Sequence, residues 1–359
     1  MTKLKVAILY GGKSVEHGVS VNSARNIATF IDKTLYDVLT IGITTKGSWF
    51  LTSEVSKDID SGKSVNLMLD HEKPGFQTAD GEMHSPDVIF PVLHGTDGED
   101  GSIQGLIKAI NVPMIGTGVL GSAVSMNKLV AKQLMRQANI PIADFLYSFY
   151  SEKENINFKK IKERLGLPFM VKSTSLGSSV GITKVNKEED FNAAVNEALR
   201  YDDCVLFEKF IQGREIECAV LGNQPPEASN PGELVLNPNY EFYTFDAKYV
   251  DPDAVKIEIP ARIDNPTREK IRSLSVKCFQ VLHCQDFARV DLFLTSGGDI
   301  YINEINTIPG FTNSSMYPMM WKEKGISFSN LISKLIELAM KRFEQAKRLS
   351  TDYQSSLKY

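Results

Sequence analysis

No run of this 359-residue chain approaches the roughly 20 consecutive apolar residues of a membrane-spanning helix. The one early apolar run, residues 6–10, is too short for the core of a secretory signal and is cut off by Gly11-Gly12-Lys13. Cysteine is scarce. Cys204, Cys218, Cys278 and Cys284 form no CxxC pair and have no histidine at zinc-ligand spacing, which argues against a disulfide framework and a zinc module. They read as reduced, mostly buried thiols. Charge of one sign is also lacking: 40 Lys+Arg stand against 44 Asp+Glu, a net −4, so no global field favours nucleic acid or an anionic membrane. Internal repeats and low-complexity tracts are absent. The expectation is a cytoplasmic protein with neither a nucleic-acid nor a membrane partner.

What is present is the profile of a globular protein with a sizeable core, 42% hydrophobic and 23% charged, long enough for two or three domains. Strand patterns at 5–10, 36–43 and 87–93 alternate with helix patterns at 20–31 and 103–110, which predicts a parallel sheet covered by helices. A second unit starts near Met126, with a helix at 128–139, a strand at 169–172, a helix at 187–200 and a strand at 205–209. Strands then dominate, at 215–221, 256–259, 288–294 and 300–305, before a closing amphipathic helix at 328–348 and a polar tail. Residues 223–253 are too long for a simple connection and read as a functional loop. The expected division is 1–123, 124–213 and 214–345, with 346–359 as the tail.

The densest chemistry lies at 288–306, where two strand-like runs flank Ser296-Gly297-Gly298-Asp299, a hairpin turn signal. Side chains alternate along a strand, so Arg289 and Asp291 are expected on one face. On the partner strand Ile302, Glu304 and Asn306 are expected on one face, with Tyr301, Asn303 and Ile305 opposite. Two carboxylates and an amide oxygen on facing strands make a hard-oxygen cluster suited to magnesium, and Arg289 adds a fixed positive fork for an oxyanion. A surface hairpin with a cross-strand ion pair is the other reading of these residues. Elsewhere a short strand ends in Lys172 and runs into the Ser/Gly loop 173–181, whose N–H groups can face phosphates. The lysine precedes the loop, unlike a Walker A motif.

Directly after the hairpin, Asn306-Thr307-Ile308-Pro309-Gly310-Phe311-Thr312 resembles the NTxPGxT segment of the D-alanine–D-alanine ligases, which belong to the ATP-grasp superfamily. The resemblance covers roughly residues 4–340, and Leu93-His94-Gly95-Thr96-Asp97-Gly98-Glu99-Asp100-Gly101 with Gln104 closely matches that family's LHGxxGEDGxxQG run. It implies a three-domain ATP-grasp fold of α/β and α+β character, with an N-terminal substrate-binding domain and two domains clamping ATP. It implies that Asp291, Glu304 and Asn306 hold two magnesium ions, with manganese as a substitute, and that Arg289 and the N–H of Gly310 stabilise a tetrahedral oxyanion. Lys128 and Lys172 would contact the ATP phosphates; Glu208, Lys209 and Ile211 would line the adenine, with Glu215 on the ribose hydroxyls. Glu16 would hold the first D-alanine's ammonium in a triad with Ser178 and Tyr249, and His94 would lie on the substrate side. Lys248 and Ser315 would meet the second substrate's carboxylate, Lys248 and Tyr249 belonging to an omega loop. Tyrosine at 249 favours D-alanine over D-lactate as that substrate; a D-alanine–D-lactate or D-alanine–D-serine ligase is the alternative. A homodimer and a place in peptidoglycan precursor synthesis are also implied. The chain departs from the family pattern at Asn127 (usually Asp), Ser173 (usually Pro), Gly18 (commonly Glu) and Phe245 (more often Tyr).

Overall fold

The computed structural model describes residues 2–70, 72–177, 181–237 and 255–350. The first segment runs β1 (Leu4–Gly11), α1 (His17–Phe30), β2 (Tyr36–Ile43), β3 (Trp49–Thr52), β4 (Lys63–Met68), β5 (Gly75–Thr78), β6 (Met83–His84), β7 (Val88–Val92) and α2 (Ser102–Ala109). Strand β1 is apolar without alternation because both of its faces are covered. Val6, Ile8 and Tyr10 pack on one side with Ala24 and Ile27 of α1, while Ala7 and Leu9 pack on the other with Ile103 and Ile107 of α2. Among the described residues the sheet order is β6-β5-β4-β3-β2-β1-β7. Only β2-β1-β7 is parallel; residues 49–84 extend it as an antiparallel meander. The expected parallel sheet is therefore half of a mixed one. The added strands are two to six residues long and mostly half-exposed, so they carry little hydrophobic periodicity.

The next segment comprises α3 (Val119–Met126), α4 (Lys128–Gln137), β8 (Phe145–Phe149), α5 (Phe158–Leu165), β9 (Phe169–Ser173), β10 (Ile182–Val185), α6 (Glu188–Leu199) and β11 (Cys204–Lys209). Its antiparallel sheet has the order β10-β9-β11-β8. Phe158, Phe169, Phe191 and Phe207 fill the space between this sheet and α5 and α6. The last segment comprises β12 (Arg214–Leu221), β13 (Glu227–Ala228), β14 (Gly232–Leu236), β15 (Val255–Glu258), α7 (Asn265–Val281), β16 (Phe287–Leu294), β17 (Ile300–Asn306), α8 (Met316–Glu323) and α9 (Phe328–Ala346). Its strands are ordered β15-β14-β12-β16-β17, with β13 on β12. The stretch read as one long loop therefore contains β13 and β14; residues 238–254 lie outside the described residues. Ile216, Cys218 and Val220 of β12 pack with Val290, Leu292 and Leu294 of β16 against Met135 of α4 and Phe279 of α7. All four cysteines are buried, and burial pushes the Cys204 and Cys218 thiols up to about 11, as expected of thiols that serve as core.

The closing helix α9 returns to the first sheet. Leu331, Leu335 and Ile336 join the same core as Val6 and Phe90. An ion pair pins this return: Arg342 donates to Asp286 Oδ2 at 2.8 Å and to the carbonyl of Gly116 at 2.9 Å. Asp286, with a fully buried side chain, also accepts from the N–H of Gly116 and from Asn223. Among the described residues no helix is long and apolar enough to cross a membrane.

Breaking that clasp by Asp286→Ala leaves the Arg342 guanidinium with neutral acceptors alone and takes the acceptor from the N–H of Gly116 and the amide of Asn223. It should cost about 3 kcal/mol in urea denaturation; a loss under about 1 kcal/mol would show that the clasp is replaceable.

Candidate active site

The hairpin β16–β17 carries a β-bulge, and the bulge decides what it presents. Arg289 pairs with Asn306 and Asp291 with Glu304, but Leu292 pairs with Ile302, leaving Asn303 as the extra residue. Strict alternation is therefore broken. Ile302 and Ile305 are both buried in the core, while Asn303 and Glu304 both line the cleft between the second and third sheets. The expected grouping of Ile302 with Glu304, and of Asn303 opposite, is corrected by this one residue. Asp291, Glu304 and Asn306 nevertheless converge. Arg289 forks onto both oxygens of Asp291 at 2.7 Å each, and the Asn306 amide donates to Asp291 Oδ2 at 2.9 Å. Glu217, on neighbouring β12, also faces Arg289 at 3.0 Å. The guanidinium is thereby held between two carboxylates. Two carboxylates and an amide oxygen, half-buried on paired strands, fit a hard divalent cation; the Asn306 amide would present its oxygen by turning over.

The opposite wall is made of lysines. The side chain of Asn127 caps α4 by accepting from the N–H of Val130, and its NH2 donates to Ser175 Oγ at 3.2 Å. Asparagine at this position thus ties the helix to the loop that follows β9, which a carboxylate acceptor could do only toward the hydroxyl proton. Lys128 begins that helix, donates to the carbonyl of Leu176 and stands 3.7 Å from Glu304. Lys172, at the end of β9, donates to Glu208 Oε2 at 2.6 Å and reaches Asn303 Oδ1 at 3.4 Å. Asp202 fixes the base of the 173–181 loop by accepting from the N–H groups of Thr174 and Ser175 at 3.0 and 2.7 Å. Glu208 is buried. Desolvation alone would raise its carboxyl, but the ammonium groups of Lys132 and Lys172 outweigh it and hold it down at about 2. Beyond Glu208, Lys209, Ile211 and Glu215 line the same cleft, alongside apolar Ala143, Met170, Ile182 and Phe293. The cleft, about 1210 Å³ with the solvent-open space at its mouth included, is apolar at one end and cationic at the other.

The first domain closes the far side. Gly11 ends β1 at φ +92°, where a Cβ would fall 2.2 Å from the carbonyl of Ile43, and the turn after it leads to Glu16 before α1. Glu16 Oε2 lies so near Gly95 and Gly177 that a Cβ on either would stand 2.8 or 3.3 Å away. That brings Glu16 to the residue preceding Ser178. Ser178, Lys248 and Tyr249 lie outside the described residues. His94 is buried, with both ring nitrogens engaged by protein groups. Its Nδ1–H donates to the carbonyl of Ile308 at 2.8 Å, and its Nε2 accepts from Ser23 Oγ at 3.1 Å. Ser23 Oγ in turn accepts from the N–H of Phe311, so its proton points to the histidine and the tautomer is set. Burial lowers the His94 pKa, in keeping with the neutral ring. His94 therefore positions the segment around Gly310. Glu99 completes the hold, accepting from the N–H of Ile308 at 3.0 Å and from that of Gly95 at 2.8 Å. Gly310 sits over Ser315, a Cβ there meeting Ser315 Oγ at 3.3 Å, and Ser315 Oγ accepts from the N–H of Thr312.

Four participants escaped sequence reasoning: Lys132, Glu217, Glu99 and Ser23. Lys132 had a signal, since it follows Lys128 by four residues and so shares its helix face. Glu99 stands within a quoted motif. The other two become visible only through contacts made across the fold.

The chain resembles known proteins along nearly its whole length. A family model described as D-ala D-ala ligase N-terminus matches residues 5–117, and one described as D-ala D-ala ligase C-terminus matches 134–337. The D-alanine–D-alanine ligase of Shouchella clausii (strain KSM-K16) is 43% identical over 98% of each chain. D-alanine–D-alanine ligase A of Escherichia coli (strain K12) is 43% identical over 98% of this chain and all of that one. The solved D-alanine–D-alanine ligase of Coxiella burnetii superposes with a TM-score of 0.85 at 37% identity, covering 96% of this chain and 98% of that one. The VanG D-Ala:D-Ser ligase of Enterococcus faecalis also reaches 0.85, at 35% identity, covering 94% of this chain and 100% of that one.

The Glu99 carboxyl keeps some contact with solvent, yet desolvation, reinforced by the charge of Glu16, pushes it up to about 8 from 4.5. A raised carboxyl contributes stability that is fully present below the unfolded value of 4.5 and is lost as pH rises through about 8. Glu99→Gln cannot ionise. Its stability relative to the parent protein, read from thermal denaturation without metal, should therefore improve across that interval and level off above it. A difference independent of pH would sink this account.

Proposed function

The chain belongs to the D-alanine–D-alanine ligase family, and we infer from that membership that it joins two D-alanine molecules to D-alanyl-D-alanine at the expense of ATP. The observation that carries the residue-level reading is the convergence of two walls on one cleft: Lys128 and Lys172 on one side, and on the other Glu304 with Asp291, to which Arg289 and Asn306 are bonded.

In this reading ATP lies with its purine against Met170, Ile182 and the 208–211 edge, its ribose toward Glu215 and its phosphates toward Lys128 and Lys172. The carboxylate of the first D-alanine, its ammonium at Glu16, attacks the γ-phosphorus, the bond to the β,γ-bridging oxygen breaks with ADP as leaving group, and the two lysines spread the charge that develops. The amine of the second D-alanine attacks the acyl phosphate so formed, and inorganic phosphate departs. Arg289, kept rigid by Glu217 and Asp291, and the N–H of Gly310 are the donors for the tetrahedral oxyanion. The second substrate's carboxylate falls to Ser315 with Lys248; Ser178 and Tyr249 complete the Glu16 triad. His94 supports the substrate side through Ile308. Asp291, Glu304 and Asn306 are the residues to hold magnesium, two ions by family resemblance. Magnesium held there would supply charge neutralisation at the phosphates.

Residues 1–123, 124–213 and 214–345 serve as first-substrate, nucleotide and catalytic domains. A cytoplasmic homodimer supplying a cell-wall precursor is the fitting setting, since the product is a dipeptide of D-amino acids.

Phosphate release from ATP should require both D-alanine and magnesium, and mass analysis with D-alanine, D-lactate and D-serine competing should return D-alanyl-D-alanine. Equal release with L-alanine would overturn the reading. Arg289→Ala should lower kcat by about 10²–10³; undiminished turnover would remove it from the oxyanion site.

A further inference from the structure

Lys132 takes no part in the reading above, yet it is among the most buried ionisable groups of the protein, 1% exposed. It lies behind the cleft wall, one helical turn past Lys128 on α4, where it forms an ion pair with Glu208 Oε1 and approaches the carbonyl of Asn303 at 3.5 Å. The other oxygen of the same carboxylate, Glu208 Oε2, accepts from Lys172 at 2.6 Å, and Lys172 does line the cleft. One carboxylate thus carries two ammonium groups, one facing the nucleotide space and one on the side away from it.

That asymmetry has a physical consequence. A lysine that leaves a buried carboxylate for a phosphate strands an unpaired charge unless a second cation remains. With Lys132 fixed behind it, Glu208 stays paired after Lys172 has turned. Its burial and its ion pair with Glu208 keep Lys132 behind the wall, where it also approaches the carbonyl of Asn303 on β17. Burial lowers the Lys132 pKa and Glu208 opposes that, so the lysine depends on Glu208 for its charge as Glu208 depends on it.

We propose that Lys132 is a positioning residue for nucleotide binding, holding the Glu208 carboxylate from behind so that Lys172 is released to the ATP phosphates. The proposal rests on Lys172 being a phosphate ligand, and the test separates the two.

ATP binding to the whole chain, with magnesium and without D-alanine, is measured by calorimetry for the parent protein, Lys132→Met, Glu208→Gln, Lys132→Met/Glu208→Gln and Lys172→Met; KM for ATP and kcat are taken on the same proteins. Lys132→Met should weaken ATP binding about 30-fold. KM for ATP should rise in parallel while kcat at saturating ATP stays within about threefold. In the Glu208→Gln background the effect of Lys132→Met should vanish, the double variant binding ATP as Glu208→Gln alone does, because a neutral amide needs no counter-ion. A folded Lys132→Met that binds ATP like the parent overturns the proposal, as does an equal loss in the Glu208→Gln background. If Lys132→Met does not fold, the two Glu208→Gln proteins decide: equal affinities support the proposal, and a double variant that fails to fold or binds more weakly overturns it. Undiminished ATP binding by Lys172→Met would instead overturn the phosphate-ligand reading on which the proposal rests.

Discussion

The peptide group on either side of Ile308 is held from another part of the chain, and the placement of the catalytic segment follows from that hold. Glu99 takes the N–H of Ile308 and His94 takes its carbonyl, while Ser23 receives the N–H of Phe311 and passes its own proton to His94. These partners come from α1 and from the turn after β7, between 209 and 288 residues away in sequence. Gly310 lies between the clamped positions and cannot move independently of the first sheet. An oxyanion donor works only when it is already where charge will appear. Residues of α1 and of the turn after β7 therefore fix the backbone that carries Gly310, the donor of the proposed reaction.

A second constraint runs through the charges. Three cations at the cleft face carboxylates: Arg289 faces Asp291 and Glu217, Lys172 faces Glu208, and Lys128 stands near Glu304. Without ligands these groups neutralise one another, which keeps a wall of lysines from repelling itself apart. Binding a polyanion and its metal then becomes an exchange of partners, and the energetic question is which protein group is left alone afterwards. Glu208 has an answer built in through Lys132.

The elements with a strong period were legible in the sequence. Strands β1, β2, β7, β12, β16 and β17 and helices α1, α4, α6 and α9 were expected close to where they lie, because continuous or regularly spaced apolar residues announce them. The meander of β3 to β6 was not legible, since short strands with one wet face look like loops, and β14 was hidden inside what read as a single long connection. In the site, residues with unusual chemistry at close spacing stood out, as Arg289, Asp291, Glu304 and Asn306 did. Asn303 was assigned to the wrong face because alternation assumes that every residue has one partner across the ladder, and a bulge violates that assumption locally. His94 was placed on the substrate side by its motif, whereas its contacts are with the backbone that carries Gly310. Glu217 and Ser23 could not have been picked out, because their importance comes from partners brought close by folding alone.

The bulge at Asn303 also bears on how this hairpin can vary among related chains. The tip at 295–299 is exposed and self-contained, with Thr295 and Asp299 closing it and Gly298 at φ +84° facing open space. Residues can be gained or lost there at little cost, since a longer tip would only extend into water. Between Asp291 and Asn306 the count on each strand is another matter. Deleting Asn303 would regularise the ladder with Asp291 still opposite Glu304, but it would remove the side-chain oxygen that Lys172 reaches and the carbonyl that Lys132 approaches. Length variation in the hairpin is thus confined to its apex, and the irregularity in the ladder is the part that has to be inherited intact.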